Sequence, residues 1–309
     1  MTLEADLLID RRRLKRRLAL WRAAAVVLLA AGAGLLLWDR AGEEGGGLSL
    51  PGRGQVGRLA VEGFIGDDRE RIEAIDRLAR DSSTRALIVA IDSPGGSVAG
   101  GEALHAALGR FQARKPVVAV MRGTAASAGY MAALPADRIF AREATVTGSI
   151  GVLLQSPDAS GLLDRLGLRV ETIASGALKD QPSPFHPLSP EGREALARVV
   201  ADMHDQFVGM VARARRMEEG AVRAIADGRV FTGRQALAAG LVDAIGGERE
   251  ARGWLAAEKG VPDTLPVRDL DTRGAAERLF GAALRGLAKS LVSEWVGVDG
   301  FRLLWQPAR

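Results

Sequence analysis

The sequence predicts an α/β layered domain with crossover connections, and three observations carry that prediction. Two short apolar runs rich in β-branched residues, Ala86–Ile91 and Val117–Met121, have the length and composition of buried strands. Segments of helical period alternate with them, one over 68–80 with Ile72, Ile75 and Leu78 on one face and one over about 101–114. Each run leads into small residues, Asp92-Ser-Pro-Gly-Gly96 and Gly123-Thr-Ala-Ala-Ser127-Ala-Gly129-Tyr130, where layered α/β folds place their chemistry.

The composition permits a sizeable core. The chain has 309 residues, 47% hydrophobic and 26% charged, which suits one large or two modest domains. Its formal net charge is +4 and its pI about 9.9. Residues 1–40 hold eight Arg/Lys against four Asp/Glu, so the remainder carries 34 of each sign. The basic character belongs to the N-terminus, and the body has no electrostatic footprint for nucleic acid. Cysteine is absent, which excludes disulfides, thiolate metal ligands and a Cys nucleophile together.

In chain order, the basic run Arg11–Arg17 precedes the uncharged run Ala23–Trp38. A spanning helix needs about 20 residues, and Leu18–Trp21 complete that length if Arg22 snorkels to the headgroups. Trp21 and Trp38 fall where interfacial aromatics belong. The rival reading is a removed signal peptide cut near Ala31-Gly-Ala33, but the mature chain would then start on an apolar stub, Leu35–Trp38. Seven Arg/Lys before or at the start of the span, against two in the linker after it, put the N-terminus in the cytoplasm and the body outside. The expected organisation is a basic tail over 1–17, an anchor over 18–38, a Gly-rich linker over 39–56, a main domain over 57–250 and a helical extension over 251–309.

Within the main domain, Arg58–Gly63 reads as a strand, Asp92–Gly96 as a turn, and Val117–Met121 as a strand that stops at Arg122-Gly123. A short helix should start near Ser127. Thr145–Val152 and Leu168–Ala174 read as further strands, and Glu191–Met217 as a long helix striped by Leu196, Val199, Val200, Met203, Phe207 and Met210. Two short helices should follow over 221–246, with a turn at Phe231-Thr-Gly233. The stretch Ala275–Leu304 has Leu279, Phe280, Leu284, Leu287 and Leu291 at helical spacing, and its interspersed basic residues favour packing on protein over a membrane-surface role.

Ser127 would sit at a strand-to-helix corner among small residues, where a hydroxyl can meet a substrate backbone beside free helix N–H groups. The plainer reading is an N-cap, since the first glycine of the G-x-S-x-G elbow is missing. A nucleophile needs a base. His105, His186 and His204 each fall where a structural or solvent-facing role is the simpler account. Lysine is uncommon here, 37 of the 42 basic residues being Arg. Because Arg stays protonated, a site that needs a neutral amine must use Lys. Lys179, in Ser175-Gly-Ala-Leu-Lys-Asp180, is the candidate, although Asp180 would hold it charged if its carboxylate faced the amine. An exposed loop lysine is the bland alternative. Ser93–Gly96 could supply backbone N–H groups to an oxyanion, and a plain Pro-Gly turn explains it equally.

Five motifs in order change that balance: Asp92-Ser-Pro-Gly-Gly96, Ala125-Ala-Ser-Ala-Gly-Tyr130, Thr147-Gly-Ser-Ile-Gly-Val152, Ser175-Gly-Ala-Leu-Lys-Asp180 and Asp227-Gly-Arg-Val-Phe-Thr-Gly-Arg234. Together they resemble the signal peptide peptidase A family, membrane-anchored Ser/Lys peptidases distantly related to the Clp protease and crotonase fold. The resemblance implies a Clp protease/crotonase-like α/β fold, Ser127 as nucleophile, Lys179 as general base and Ser149 as a hydroxyl orienting the lysine. It implies an oxyanion hole from Gly96 and Ala128, no metal or cofactor, apolar peptide substrates such as signal-peptide remnants, and a homo-oligomeric ring in the inner membrane. The family commonly has Gly where this chain has Ala128, a methyl tolerated only with helical dihedrals. Two other readings follow less well: a catalytically silent tethered scaffold, and a crotonase-like enzyme acting on an acyl-CoA.

Overall fold

The computed structural model describes residues 54–270. The expected basic tail, anchor and nearly all of the linker lie outside the described residues, as does the helix expected over 275–304. Among the described residues no helix is long and apolar enough to cross a membrane.

The fold is mixed α/β, as the alternating periods predict. Strand β1 (Gln55–Ile65), helix α1 (Arg69–Arg80), β2 (Thr84–Gly96), α2 (Val98–Gln112) and β3 (Val117–Ala126) form two successive crossover units, followed by the short α3 (Ala128–Ala133). The helices begin where the sequence supplies caps: Asp68 accepts the N–H of Arg71 at 2.9 Å and Ser97 that of Gly100 at 3.1 Å. β4 (Arg138–Ala141) and β5 (Val146–Gly148) then lie along the same edge of β3, one beside its start and one beside its end. After α4 (Ser160–Arg165) come the long α5 (Pro190–Arg215), α6 (Glu219–Arg223), β6 (Val230–Thr232), α7 (Gly233–Ala238), β7 (Ala244–Ile245), α8 (Glu248–Lys259) and β8 (Val267–Asp269).

The sheet runs β6-β5-β3-β2-β1-β8, with β4 also on β3 and β7 on β4. Only β5–β6 is antiparallel among these pairs. β2 and β3 are buried on both faces, which explains their unbroken apolar runs. Alternate residues serve opposite layers. Leu87, Val89, Ile91, Val117, Ala119 and Met121 meet α1, α2, α3 and α5, whereas Ala86, Ile88, Val118 and Val120 meet α8.

Several elements differ from their sequence reading. Asp92–Gly96 is not a turn: β2 continues through it, pairing Phe64 with Gly95 and Ile65 with Gly96. β3 passes Arg122-Gly123 and ends at Ala126. The strand expected over Thr145–Val152 shrinks to Val146–Gly148, because Gly148 and Ser149 both take positive φ and turn the chain away. Phe231-Thr232 is a strand on β5, and Thr232 caps α7 in a reciprocal box with Gln235. Leu168–Ala174 forms no strand; it is exposed, with Ile173 95% accessible, and pairs with none of the described strands, since β propensity alone does not make a ladder. α5 buries Phe207, Val208 and Val211, but its Leu196–Met203 half is only partly covered. Nor does the fold close at residue 250. Ala251 and Leu255 of α8 are core residues, and β8 pairs with β1.

Tyr130 ties α3 to the turn before β7. It is fully buried, burial pushes its phenol pKa up, and its hydroxyl donates to the Leu241 carbonyl at 2.8 Å. Tyr130→Phe would leave that carbonyl unpaired and should cost about 1–3 kcal/mol. Urea unfolding of the full-length chain should show a lower midpoint at an unchanged slope.

Candidate active site

The ends of β2 and β3 meet out of step. Their register runs evenly from Leu87–Val117 to Ile91–Met121, then Ser93 pairs with Ala125, so two steps along β2 span four along β3. Asp92 closes that bulge, its carboxylate accepting the N–H of Thr124 at 3.0 Å. A Cβ at Gly123 would come within 3.1 Å of the same oxygen. On its other edge β2 carries the extra residue, since Glu62 pairs with Asp92 but Phe64 with Gly95. Here Ser93 acts. Its fully buried hydroxyl donates to the Gly63 carbonyl at 2.6 Å and accepts the N–H of Gly95 at 3.1 Å, with the Gly95 carbonyl 3.2 Å away. Pro94, which has no N–H to lose, sits inside this bulge.

The bulged end lies directly against Ser127. Gly95 has φ 133°, and a Cβ there would be 3.0 Å from Ser127 Cβ and 3.4 Å from its Oγ. Ser127 follows β3 with φ 53° and ψ −120°, a strained region for a residue with a side chain. Its N–H donates to the Gly148 carbonyl at 2.9 Å, while its own carbonyl receives Tyr130 and Met131. The hydroxyl makes no capping bond, so the N-cap reading fails and the Oγ is left for another use. Ala128 begins α3 without positive φ, and its methyl rests on Gly101, where a Cβ would approach it to 2.9 Å. The departure from glycine is thus absorbed by the facing helix.

Ser149 is the second strained serine, with φ 47°, its N–H held by the Arg229 carbonyl at 2.8 Å. Ser127, Ser149, Gly95 and Gly96 line one cavity of about 590 Å³, with Phe64, Val98, Val152 and Leu153 as its apolar wall. Phe64 and Leu153 are 72% and 77% exposed. A second cavity of about 580 Å³ shares Val152 and Leu153 and extends the apolar surface towards α5. The Ser97 N–H donates to the Ile65 carbonyl. Since backbone groups alternate along a strand, the Gly96 N–H turns away from β1, towards the side on which β3 ends at Ser127.

The structure therefore brings together Ser127, Ser149, Gly96 and Ala128. Lys179 lies apart, exposed on the 176–180 turn and outside the cavity lining. Asp180 pairs with His186, Oδ2 to Nε2 at 2.9 Å. The other histidines also have structural partners: His105 Nδ1 lies 3.0 Å from the Met131 carbonyl and His204 Nε2 lies 2.7 Å from that of Ala226. Sequence reasoning missed Gly95, which touches Ser127, and the separate tasks of Asp92 and Ser93, because the motif reads locally as a turn. It also gave no task to Asp227, which lines the cavity and folds back on Arg229; those hydrogen bonds bring its carboxyl down to about 2.

Known proteins match this chain along most of its length. The model of Peptidase family S49 matches residues 109–262. A protein of Enterococcus faecium with the provisional name signal peptide peptidase SppA is 32% identical over 259 residues, covering 79% of this chain and 73% of its own. The chloroplastic serine protease SPPA of Arabidopsis thaliana is 33% identical over 192 residues, 62% of this chain and 28% of the longer protein. Among solved structures, a mutant of the 1510-N membrane-bound stomatin-specific protease gives a TM-score of 0.49 at 16% identity, over 71% of this chain and 98% of that one.

The His186 pair makes a prediction about the loop that carries Lys179. Carbonyl and carboxylate oxygens face both ring nitrogens, Pro187 O at Nδ1 and Asp180 Oδ2 at Nε2, so both nitrogens must donate and the charged ring is favoured. The Pro187 carbonyl and then Asp180 raise the His186 pKa above its ordinary value. The pair's contribution is complete below the unfolded value of about 6.5 and is lost as pH rises through the folded one. An NMR titration should place the His186 midpoint above about 6.5, and Asp180→Asn should lower it.

Proposed function

The chain belongs to peptidase family S49 and is a serine peptidase, and we propose that it works through a Ser127–Lys179 dyad on apolar peptides. The observation that carries this reading is the serine corner: a strained residue whose hydroxyl is unused by the helix behind it, facing a cavity with Ser149 and the end of β2. In the proposed reaction neutral Lys179 takes the Ser127 proton while Oγ attacks the substrate carbonyl. The resulting oxyanion is held by the N–H groups of Gly96 and Ala128. Collapse breaks the C–N bond and passes the proton from Lys179 to the leaving amine; neutral Lys179 then takes a proton from water, whose oxygen attacks the acyl carbon, and returns it to Ser127 Oγ as the acid is released. Ser149 orients the lysine amine from its own hydroxyl.

Lys179 is exposed in the single chain, and so are its apolar flanks Leu168, Val170, Ile173 and Leu178. We infer that a second copy covers this segment in a ring, which would bring lysine to a neighbour's serine and desolvate it. The apolar wall of Phe64, Val98, Val152 and Leu153 suits apolar side chains of an extended peptide. An N-terminal anchor over 18–38, with the domain on the outer face of the membrane, would put the enzyme where cleaved signal-peptide remnants accumulate.

Hydrolysis of a labelled apolar peptide by the full-length chain tests this. Ser127→Ala and Lys179→Ala should each lose at least about a thousandfold in kcat while staying folded. Mixing the two inactive variants before assembly should restore partial activity if the dyad forms between copies. Activity that survives Lys179→Ala would remove the assigned base.

A further inference from the structure

We propose that Ser93 is a positioning residue that sets the oxyanion donor against Ser127, an inference that rests on the peptidase reading above. The hydroxyl is fully buried and joins two backbones where β1 and β2 lose register near their C-terminal ends, between Glu62 and Phe64. It donates to the carbonyl of Gly63, a residue at φ 67°, and accepts the N–H of Gly95, a residue at φ 133°. Both glycines hold conformations that favour residues without a side chain, and one hydroxyl fixes them relative to each other.

Two consequences follow for the reaction. The Gly95 amide, although its residue touches Ser127, is occupied by Ser93 and is not offered to substrate. The next amide, that of Gly96, is directed away from β1 and towards the serine side of the strand. Ser93 thus decides which amide faces the nucleophile and holds the peptide that carries it. Its main chain has separate support: a Cβ at Gly129 of α3 would come within 3.0 Å of the Ser93 carbonyl, so helix and strand pack closely there without the hydroxyl. Removing the hydroxyl should therefore loosen the Gly95–Gly96 peptides while β2 and α3 stay packed. A displacement of about 1 Å at an oxyanion donor is enough to cost up to about a hundredfold in rate.

The test compares full-length wild type, Ser127→Ala, Ser93→Ala and Ser93→Cys on one labelled apolar peptide, with inhibition by a peptide aldehyde of the same sequence. Ser93→Cys keeps a side chain of similar size with a weak donor, and reports if the alanine variant does not fold. Ser93 variants should lose about 10- to 100-fold in kcat with KM within about threefold, and the aldehyde's inhibition constant should rise in step with the loss. The proposal is overturned if kcat stays within about twofold of wild type, if KM alone changes, or if in both variants the loss only follows the folded fraction. Failure of the underlying reading looks different: an inert wild type or an active Ser127→Ala, either of which overturns both inferences.

Discussion

β2 and β3 abandon their common register just before they end, and the geometry of the serine corner depends on that mismatch. Had they continued evenly, Gly95 would not lie against Ser127. Two adjacent side chains close the two bulges, Asp92 on the β3 side and Ser93 on the β1 side. Each satisfies backbone groups that the ladder no longer pairs. At Ser93, where the groups are buried, an unpaired amide or carbonyl costs about 1–3 kcal/mol, so its bonds hold β1 and β2 in one arrangement there.

Behind the corner the chain is packed on every side. All six residues of α3 are buried, Tyr130 reaches across to Leu241, and Asp243 below it receives Arg215 at 2.6 Å. Such surroundings can hold Ser127 and Ser149 at positive φ, conformations that cost about 1–3 kcal/mol each where nothing enforces them. The other half of the proposed dyad has a contrasting setting. Lys179 rides on a surface segment whose apolar residues are about half exposed or more, Ile173 almost completely, and which holds the polar pair Asp180–His186. A rigid nucleophile and a base completed by assembly would give the enzyme activity only in its oligomer.

How much of this was legible in the sequence varies with how local the cause is. Ala86–Ile91, Val117–Met121 and the capped helix after Asp68 were readable because burial on both faces and a 3.6-residue period leave direct marks on residue order. The Ser127 corner was readable as a corner, and the nucleophilic role proposed for it rests on five motifs taken together. Asp92–Gly96 was misread, since Pro-Gly is a turn signal locally and only pairing with Phe64 and Ile65, some thirty residues earlier, makes it a strand. Leu168–Ala174 was misread for the opposite reason, carrying strand propensity without joining any ladder of the sheet. Gly95 and Ser93 could not be told apart from Gly96 by spacing. Their tasks are set by the hand of a bulge, which the linear order does not record.

In the proposed dyad Ser127 Oγ is the activated nucleophile. Labelling of the full-length chain with a fluorophosphonate, followed by peptide mapping in a mass spectrometer, tests it most directly. One adduct is expected, on Ser127, formed by wild type and lost in Lys179→Ala. An adduct on Ser149 in place of Ser127, or none on a folded and assembled wild type, would contradict it.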